Sequence, residues 1–403
     1  MNRQAVNPYL PSWEYIPDGE PHVFNGRVYV YGSHDRFNAP IFCVNDYVCW
    51  SAPVEDLSEW RYEGVIYRKK QDPKNPLGYH LLFAPDVCQG PDGRYYLYYA
   101  FDFLGIMSVA VCDTPAGEYK FLGHIHYADG TLWGRRRGDQ LPFDPGVLVD
   151  DDGRVWLYSG FYNAVPAILT GGHKLRCDGG TVLELEKDMV TIKTEPRVIF
   201  PKKGPGAFQG HEFFEASSIR KIGSQYYFIY SSMKGHELCY ATSSYPDRDF
   251  RYGGVIISNG DIGFNGRNDS ARLNTTGTNH GSIECINGQW YVFYHRNTHK
   301  SAYSRQACVE RIALDTSGNI KQTEITSLGF SKSLKTDKTY PASICCNLYS
   351  GRMPHIGNGI SSKNIPYIAE SSNKQIVIAT NKTKMVYKYF EVEAGHYILS
   401  IKC

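Results

Sequence analysis

"FDPGVLVDDDGRVWLYSG", residues 143–160, holds an apolar run, an Asp-Gly pair and a second apolar run. Asp-Gly supplies the positive φ that a tight hairpin turn needs, so the stretch reads as two antiparallel strands. Its second half recurs four times: "NGRVYVYGS" at 25–33, "DGRYYLYYA" at 92–100, "GSQYYFIYS" at 223–231 and "NGQWYVFYH" at 287–295. The turn glycines, Gly26, Gly93, Gly153, Gly223 and Gly288, stand 67, 60, 70 and 65 residues apart. Three residues after each comes an aromatic (Tyr29, Tyr96, Trp156, Tyr226, Tyr291), and two further on another (Tyr31, Tyr98, Tyr158, Phe228, Phe293). A period of two puts both on one strand face, where they are predicted to be core. Weaker strand-turn-strand text follows the hairpins, as in "IMSVAVCDTPAGEYKFLGHI" at 106–125. Two hairpins in roughly 60 to 70 residues make one four-stranded blade, so five repeats predict an all-β, five-bladed β-propeller. A β-sandwich does not demand such phase-locked recurrence.

Composition agrees. The 403 residues include 31 Tyr, 19 Phe, 39 Gly and 21 Pro, a mixture that favours short strands and turns over helices. A formal net charge of +2 offers no strong field to nucleic acid or an anionic membrane. The basic run "WGRRRGD" (133–139) is short and reads as a solvated loop. The 11 cysteines are scattered, form no Cys-x-x-Cys pair, and include the adjacent Cys345 and Cys346, poor geometry for a disulfide. Reduced thiols in a cytoplasmic protein are the simplest account. With no apolar leader-like run and no apolar stretch of about 18 residues, the expectation is a soluble, cytoplasmic chain with neither nucleic acid nor membrane as partner.

Counting back from each turn glycine, a polar residue opens the first strand at a nearly constant offset. Asp18 lies 8 residues before Gly26, Asp86 7 before Gly93, Asp144 9 before Gly153, Glu215 8 before Gly223 and His280 8 before Gly288. The first strand of each propeller blade lines the axis, so four carboxylates and a histidine are expected to converge at one end of it. Burying them there is costly unless they are used. Taken singly each has a plainer role, capping a turn or facing water. Asp150, Asp151 and Asp152 belong to the hairpin turn; Glu212 has the opposite strand parity to Glu215; Glu20 shares the parity of Asp18 and rivals it. Shared register is what singles the set out. Several carboxylates on one cavity suit cleavage of a glycosidic bond: one, kept protonated, donates to the leaving oxygen while another activates water.

On these residues the chain resembles glycoside hydrolase family 43, over roughly residues 7–325. The matching text is "NPYLPSWEYIPDGEPHVF", "LLFAPDV", "FDPGVLVDDDG", "FFEASSIRKIGSQYYFIYSS", "TNHGSI" and "SRQACVERI", in that order. The resemblance implies an inverting mechanism with Asp18 as general base, Glu215 as general acid and Asp144 as a third acid that orients Glu215 and raises its pKa. It further implies a substrate-binding set of Arg305, Phe83, Asp86 and His280. Arg305 matches an arginine that hydrogen-bonds the sugar; a surface salt bridge is its plainer role, and Arg296 is its local competitor. Phe83 stands where the family often has Trp and would wall the sugar subsite, while Asp86 is structural or contacts a hydroxyl. In many members the histidine matching His280 binds an axial calcium ion through one ring nitrogen and water, a weak, largely hydrated site. Two motifs depart from the usual pattern. "PDGEP" replaces Asp-Pro followed by an apolar residue, which leaves Glu20 a claim on the base role, and "EAS" replaces Glu-Gly-Pro.

Residues 1–328 are thus the expected catalytic propeller. Residues 329–403 hold the polar connection "SKSLKTDKTYPASICCNLYSG" (331–351) and short β-like runs, "KQIVIAT" (374–380), "KMVYKYFEV" (384–392) and "HYILSIK" (396–402). Family members often append a carbohydrate-binding β-sandwich here, and about 70 residues are short for one. The expectation is a β-rich, partly sandwich-like extension that either packs on the propeller or is a truncated carbohydrate-binding module. The implied activity is release of xylose or arabinose from the non-reducing end of short xylan-derived oligosaccharides, β-xylosidase first, without an organic cofactor. α-L-Arabinofuranosidase and arabinan-cleaving activity follow, since all three use the same acids. A non-catalytic glycan-binding propeller needs no third acid to tune a second, and a protein-binding scaffold would be indifferent to the acids. Loop shape, and with it the choice among these sugars, and oligomeric state stay open at this level.

Overall fold

The computed structural model describes residues 5–371, 374–398 and 400. Blade one comprises β1 (Glu20–Phe24), β2 (Arg27–Tyr31), β3 (Tyr47–Pro53) and β4 (Arg61–Tyr67). Blade two comprises β5 (Leu82–Gln89), β6 (Tyr95–Phe101), β7 (Met107–Cys112) and β8 (Lys120–His124). Blade three comprises β9 (Gly146–Val149), β10 (Val155–Ser159), β11 (Gly179–Leu185) and β12 (Arg197–Pro201). Blade four comprises β13 (Phe213–Ile222), β14 (Gln225–Ser232), β15 (Glu237–Ser243) and β16 (Arg251–Ser258). Blade five comprises β17 (Ser282–Ile286), β18 (Gln289–Arg296) and β19 (Gln306–Ile312). The innermost strands β1, β5, β9, β13 and β17 each touch the next, and β17 returns to β1, which closes the ring.

Blade five has three strands among the described residues, not the four its repeat length predicts. Its outer edge is covered instead by the irregular N-terminal segment. The Tyr9 amide donates to the Ala307 carbonyl at 3.3 Å, and the Asn7 side chain exchanges hydrogen bonds of 2.8 and 2.9 Å with the Val309 backbone. The start of the chain thereby satisfies the open edge of the last blade and ties the ring shut.

The strand alternation builds the blade interfaces. Tyr29 and Tyr31 pack with Val87 and Leu97 of blade two, while Val28 and Val30 pack with Phe293 and Val309 of blade five. All ten hairpin aromatics are buried. Blade four departs from the repeat by one residue, because Gly223 takes the first of its two turn positions (Ile222 pairs Gln225) where Gly26 takes the second (Phe24 pairs Arg27). A one-residue slip reverses strand faces. Tyr226 and Phe228 accordingly face blade three, and Tyr227 and Ile229 face blade five.

After blade five come β20 (Leu334–Lys335), β21 (Asn347–Tyr349), β22 (Tyr367–Ser371), β23 (Lys374–Ile378), β24 (Lys384–Val386) and β25 (Phe390–Glu391). They pair only two by two, β20 with β25, β21 with β24 and β22 with β23. Cys345, Leu348 and Ile368 form a small core of their own. Of the run "HYILSIK", residues 396–398 form no strand, and 399, 401 and 402 lie outside the described residues.

Candidate active site

One layer across the axis is fixed by strand pairing. Glu20 stands opposite Tyr31, Asp86 opposite Tyr98, Gly146 opposite Tyr158, Ser218 opposite Ile229 and Ser282 opposite Phe293. Two residues before these first strands begin lie Asp18, Asp144 and His280. Glu215 lies three residues before Ser218, across an irregularity in which Ala216 takes φ 69°. That bulge adds the residue that the early turn of blade four removes, so the offset of eight in the sequence rests on two local changes that cancel.

The structure brings Asp18, Asp144, Glu215 and His280 together and corrects Asp86. Asp86 pairs with Tyr98 as Gly146 pairs with Tyr158, seven residues before a turn glycine across a turn of the same length, so it stands one layer deeper than the other four. Its carboxylate is fully buried and spent on His22 Nε2 (2.7 Å) and the amides of Val87 and Val147 (both 2.7 Å), so it is a structural anchor and not a sugar contact. Glu20 shares that deeper layer. Its Oε2 accepts from Arg220 Nη2 (3.1 Å) and Ser218 Oγ (3.2 Å), which takes it out of contention as the base. Arg296 points the other way, donating to the carbonyls of Cys345 and Cys346 at 3.1 and 2.6 Å.

Asp18 is held as an anion. Arg305 Nη1 donates to both its oxygens at 2.9 and 3.1 Å, and the rings of His295 and His280 stand 3.3 and 3.8 Å from Oδ1. Burial pushes its pKa up, but the Arg305 charge, the His295 bond and His280 outweigh burial and hold the carboxyl below the usual range. Arg305 is itself fixed by Asp35, donating from Nε at 2.8 Å and Nη2 at 3.1 Å, with its guanidinium 4.6 Å over the Phe42 ring. The structure therefore places Arg305 on the base rather than on open surface. Asp35 and His295 were not singled out by sequence. Asp35 follows β2 and His295 is the last residue but one of β18, both where the second strand of a blade returns to the site end of the axis, and nothing in the local text marks them further.

Glu215 has the opposite character. Burial first, then the nearby Asp18 charge, raise its pKa to about 8 against a smaller lowering by Arg305. It is half-buried, where Asp18 and Asp144 are buried. Asp144 is raised well above its ordinary value by burial, Glu215 and Asp18, and accepts from the Ala216 amide at 3.2 Å beside Glu215. Like charges packed this closely cannot all ionise, so Asp144 and Glu215 hold protons as a pair while Asp18 carries the charge. The burial of Glu215 and the Asp18 anion do most of the raising that the sequence assigned to Asp144. His280, whose Nδ1 is 3.6 Å from Asp144, is pushed down to about 4, first by burial, and is neutral near pH 7.

An apolar cluster lies beside the acids. Phe83 packs 5.5 Å from Phe143 within a cluster that includes Phe103, Phe161 and Phe214, the neighbours in sequence of Asp144 and Glu215 among them. Such a wall excludes water beside the acids and offers a flat face to a sugar ring.

Donor chemistry tests the expected axial cation. His280 belongs to no group of three ligand-type side chains among the described residues. One layer deeper, Glu20 Oε1 is buried without a partner, near the mutually bonded Ser218 and Ser282 hydroxyls (2.6 Å). One imidazole above a floor of oxygen donors fits a hydrated, oxygen-preferring cation such as calcium.

Two predictions arise here. Ala216 stands at φ 69°, a conformation costing an L-residue about 1–2 kcal/mol. Ala216→Gly is expected to retain activity and gain up to about 1 kcal/mol in chemical denaturation, the relief being partly offset by glycine's greater unfolded-state entropy. The second concerns Glu215, whose folded pKa lies above its unfolded value. Its contribution to stability is complete below about 4.5 and is lost as pH rises to about 8. Glu215→Gln is therefore expected to melt above wild type, by a margin that widens from pH 5 to pH 8 in thermal scans.

The chain is similar to known proteins. The model of a family described as glycosyl hydrolases family 43 matches residues 18–320. A xylosidase/arabinosidase of Thermoclostridium stercorarium is 56% identical over 357 residues, 87% of this chain and 73% of that protein. A xylosidase/arabinosidase of Bacteroides ovatus is 31% identical, covering 71% of this chain and 87% of its own. The structure of a β-xylosidase/α-arabinofuranosidase from a compost microbial metagenome, in complex with xylotriose and in a calcium-free form, superposes with a TM-score of 0.60 at 27% identity. It covers 80% of this chain and 98% of that one.

Proposed function

The chain belongs to glycosyl hydrolases family 43, and from that membership we propose an inverting glycosidase that releases xylose or arabinose from the non-reducing end of short xylan-derived oligosaccharides. The observation that carries this reading is Asp18, gripped by Arg305 at 2.9 and 3.1 Å, in one axial layer with a Glu215 that has no cation of its own among the described residues, an arrangement that favours the anion at Asp18 and the proton on Glu215. Asp18 takes a proton from water as its oxygen attacks the anomeric carbon. Glu215 gives its proton to the departing sugar oxygen, so one C–O bond forms as the other breaks, with inversion. Asp144 holds the Ala216 amide and so fixes the strand that aims Glu215. Arg305 and His295 keep Asp18 charged and oriented.

β-Xylosidase is the first assignment and α-L-arabinofuranosidase the second, supported by relatives that carry both names. Calcium, when bound, would be held by His280 and water and would supply positive charge beneath the acids. A cytoplasmic location is part of the proposal, supported by ten free cysteines among the described residues. The test offers aryl β-D-xyloside, aryl α-L-arabinofuranoside and xylobiose, following the released anomer by NMR. Inverted sugar as first product supports the reading, and the faster substrate sets the name. Retention of configuration overturns the mechanism, and binding of xylo-oligosaccharides without turnover replaces the enzyme by a glycan-binding propeller.

A further inference from the structure

The side chains that hold Asp18 reach it from segments that share an outer support. His280, His295 and Arg305 come from blade five, the blade with three strands, and Asp35 follows β2. Residues 298–302, which lead into Arg305, are tied to the C-terminal extension almost residue by residue. The Ile368 amide donates to the Thr298 carbonyl (2.9 Å), His299 Nδ1 meets the Ile368 carbonyl, and the Ser361 amide donates to the Lys300 carbonyl (2.9 Å). Ser301 bridges Ile360, and the Ala302 amide donates to the Gly359 carbonyl (2.9 Å).

The segment leading to His280 is held in the same way. The Thr276 amide donates to the Pro354 carbonyl (3.1 Å) and the Ile356 amide to the Thr276 carbonyl (2.7 Å). Gly277 follows at φ +149°, where a Cβ would stand 1.8 Å from the Ile356 carbonyl oxygen, so the two backbones touch directly. Thr278 Oγ1 then lies 3.4 Å from His295 Nε2. A third attachment joins the Tyr15 hydroxyl to Glu370, and the Tyr15 carbonyl accepts the Asp35 amide at 3.0 Å.

We propose that the extension, through residues 354–370, is a clamp that positions His280, His295, Arg305 and Asp35 around the base, so that it belongs to the catalytic unit. The proposal rests on Asp18 being the base. Without the clamp, a three-stranded blade carries two site loops whose outward backbone groups lack partners, and such loops sample other conformations. The clamp residues touch no substrate and act only through the groups they position.

Ile368→Pro deletes the amide that holds Thr298, whereas Ile368→Val keeps it. For Ile368→Pro, kcat/KM on an aryl glycoside is expected to fall roughly 10- to 100-fold. Its acidic limb is expected to move to higher pH as Asp18 loses the Arg305 guanidinium, and amide exchange over 298–305 to accelerate. Ile368→Val should restore both profiles, and Lys384→Ala, on the exposed side of the extension, should change neither. Gly277→Ala, which pushes Ile356 away, carries the test should the proline variant not fold, and Tyr15→Phe does so in the mildest form. A lower Tm with unchanged pH profile and unchanged exchange over 298–305 overturns the clamp, leaving the extension a passive brace. A wild type that cleaves no glycoside overturns the assignment of the base, while amide exchange still decides whether the extension holds the loop.

Discussion

Glu215→Ala is expected to lose about 10²- to 10⁴-fold in kcat on xylobiose, the range that a positioned general acid supplies. On an aryl glycoside with an acidic phenol as leaving group the loss should be far smaller, because the departing oxygen needs little protonation. Steady-state kinetics on the two substrates read this difference directly. The physical basis is the proton that Glu215 keeps: burial beside the Asp18 anion holds its pKa at about 8. The same value sets the alkaline side of the pH profile. Wild-type kcat/KM is expected to fall as pH rises through about 8, and the alanine variant should lose that limb on the aryl substrate. Equal losses on both substrates would remove Glu215 from the acid role.

Asp18→Asn is expected to cost about 10³-fold or more, close to 4 kcal/mol of transition-state stabilisation, on every substrate whatever its leaving group. Water attack needs the base in each case. An amide is nearly the same shape but accepts no proton, so KM should change little while kcat collapses. The acidic limb should lie at low pH in wild type, because Arg305 and His295 hold Asp18 ionised below the usual carboxylate range against the opposing effect of burial. Asp35→Asn, which releases one side of Arg305, should shift that limb upward with a smaller loss in kcat. A leaving-group-dependent loss for Asp18→Asn would reverse the two roles.

Much of the architecture was legible in the chain because it is written in short-range terms. Turn glycines, period-two aromatics and a repeat of roughly constant length each state a local preference, and five copies in phase leave few closed solutions. Asp18, Asp144, Glu215 and His280 were legible for the same reason: equal offsets from equivalent turns place them at one end of the axis. Asp86 shows how far counting reaches. It lies two residues nearer its turn glycine than Asp144 does, across a turn of the same length, and two residues along a strand are a full layer of depth. Glu215 shows the converse, an offset preserved only because an early turn and a bulge cancel.

By itself, then, the sequence determined the blades, their number and the residue types that meet on the axis, since hydrogen-bonded strand periodicity is a local property. Tertiary structure alone decided which carboxyl keeps a proton. Burial, a charge within a few ångströms and an arginine arriving from 287 positions away set those energies, as the Asp18–Arg305 bond demonstrates. It also decided that the N-terminal segment finishes blade five and that the extension grips the loops behind Asp18. Both join distant segments largely through backbone amides and carbonyls, helped by single side chains such as Asn7 and Tyr15, so no repeated side-chain pattern announces them.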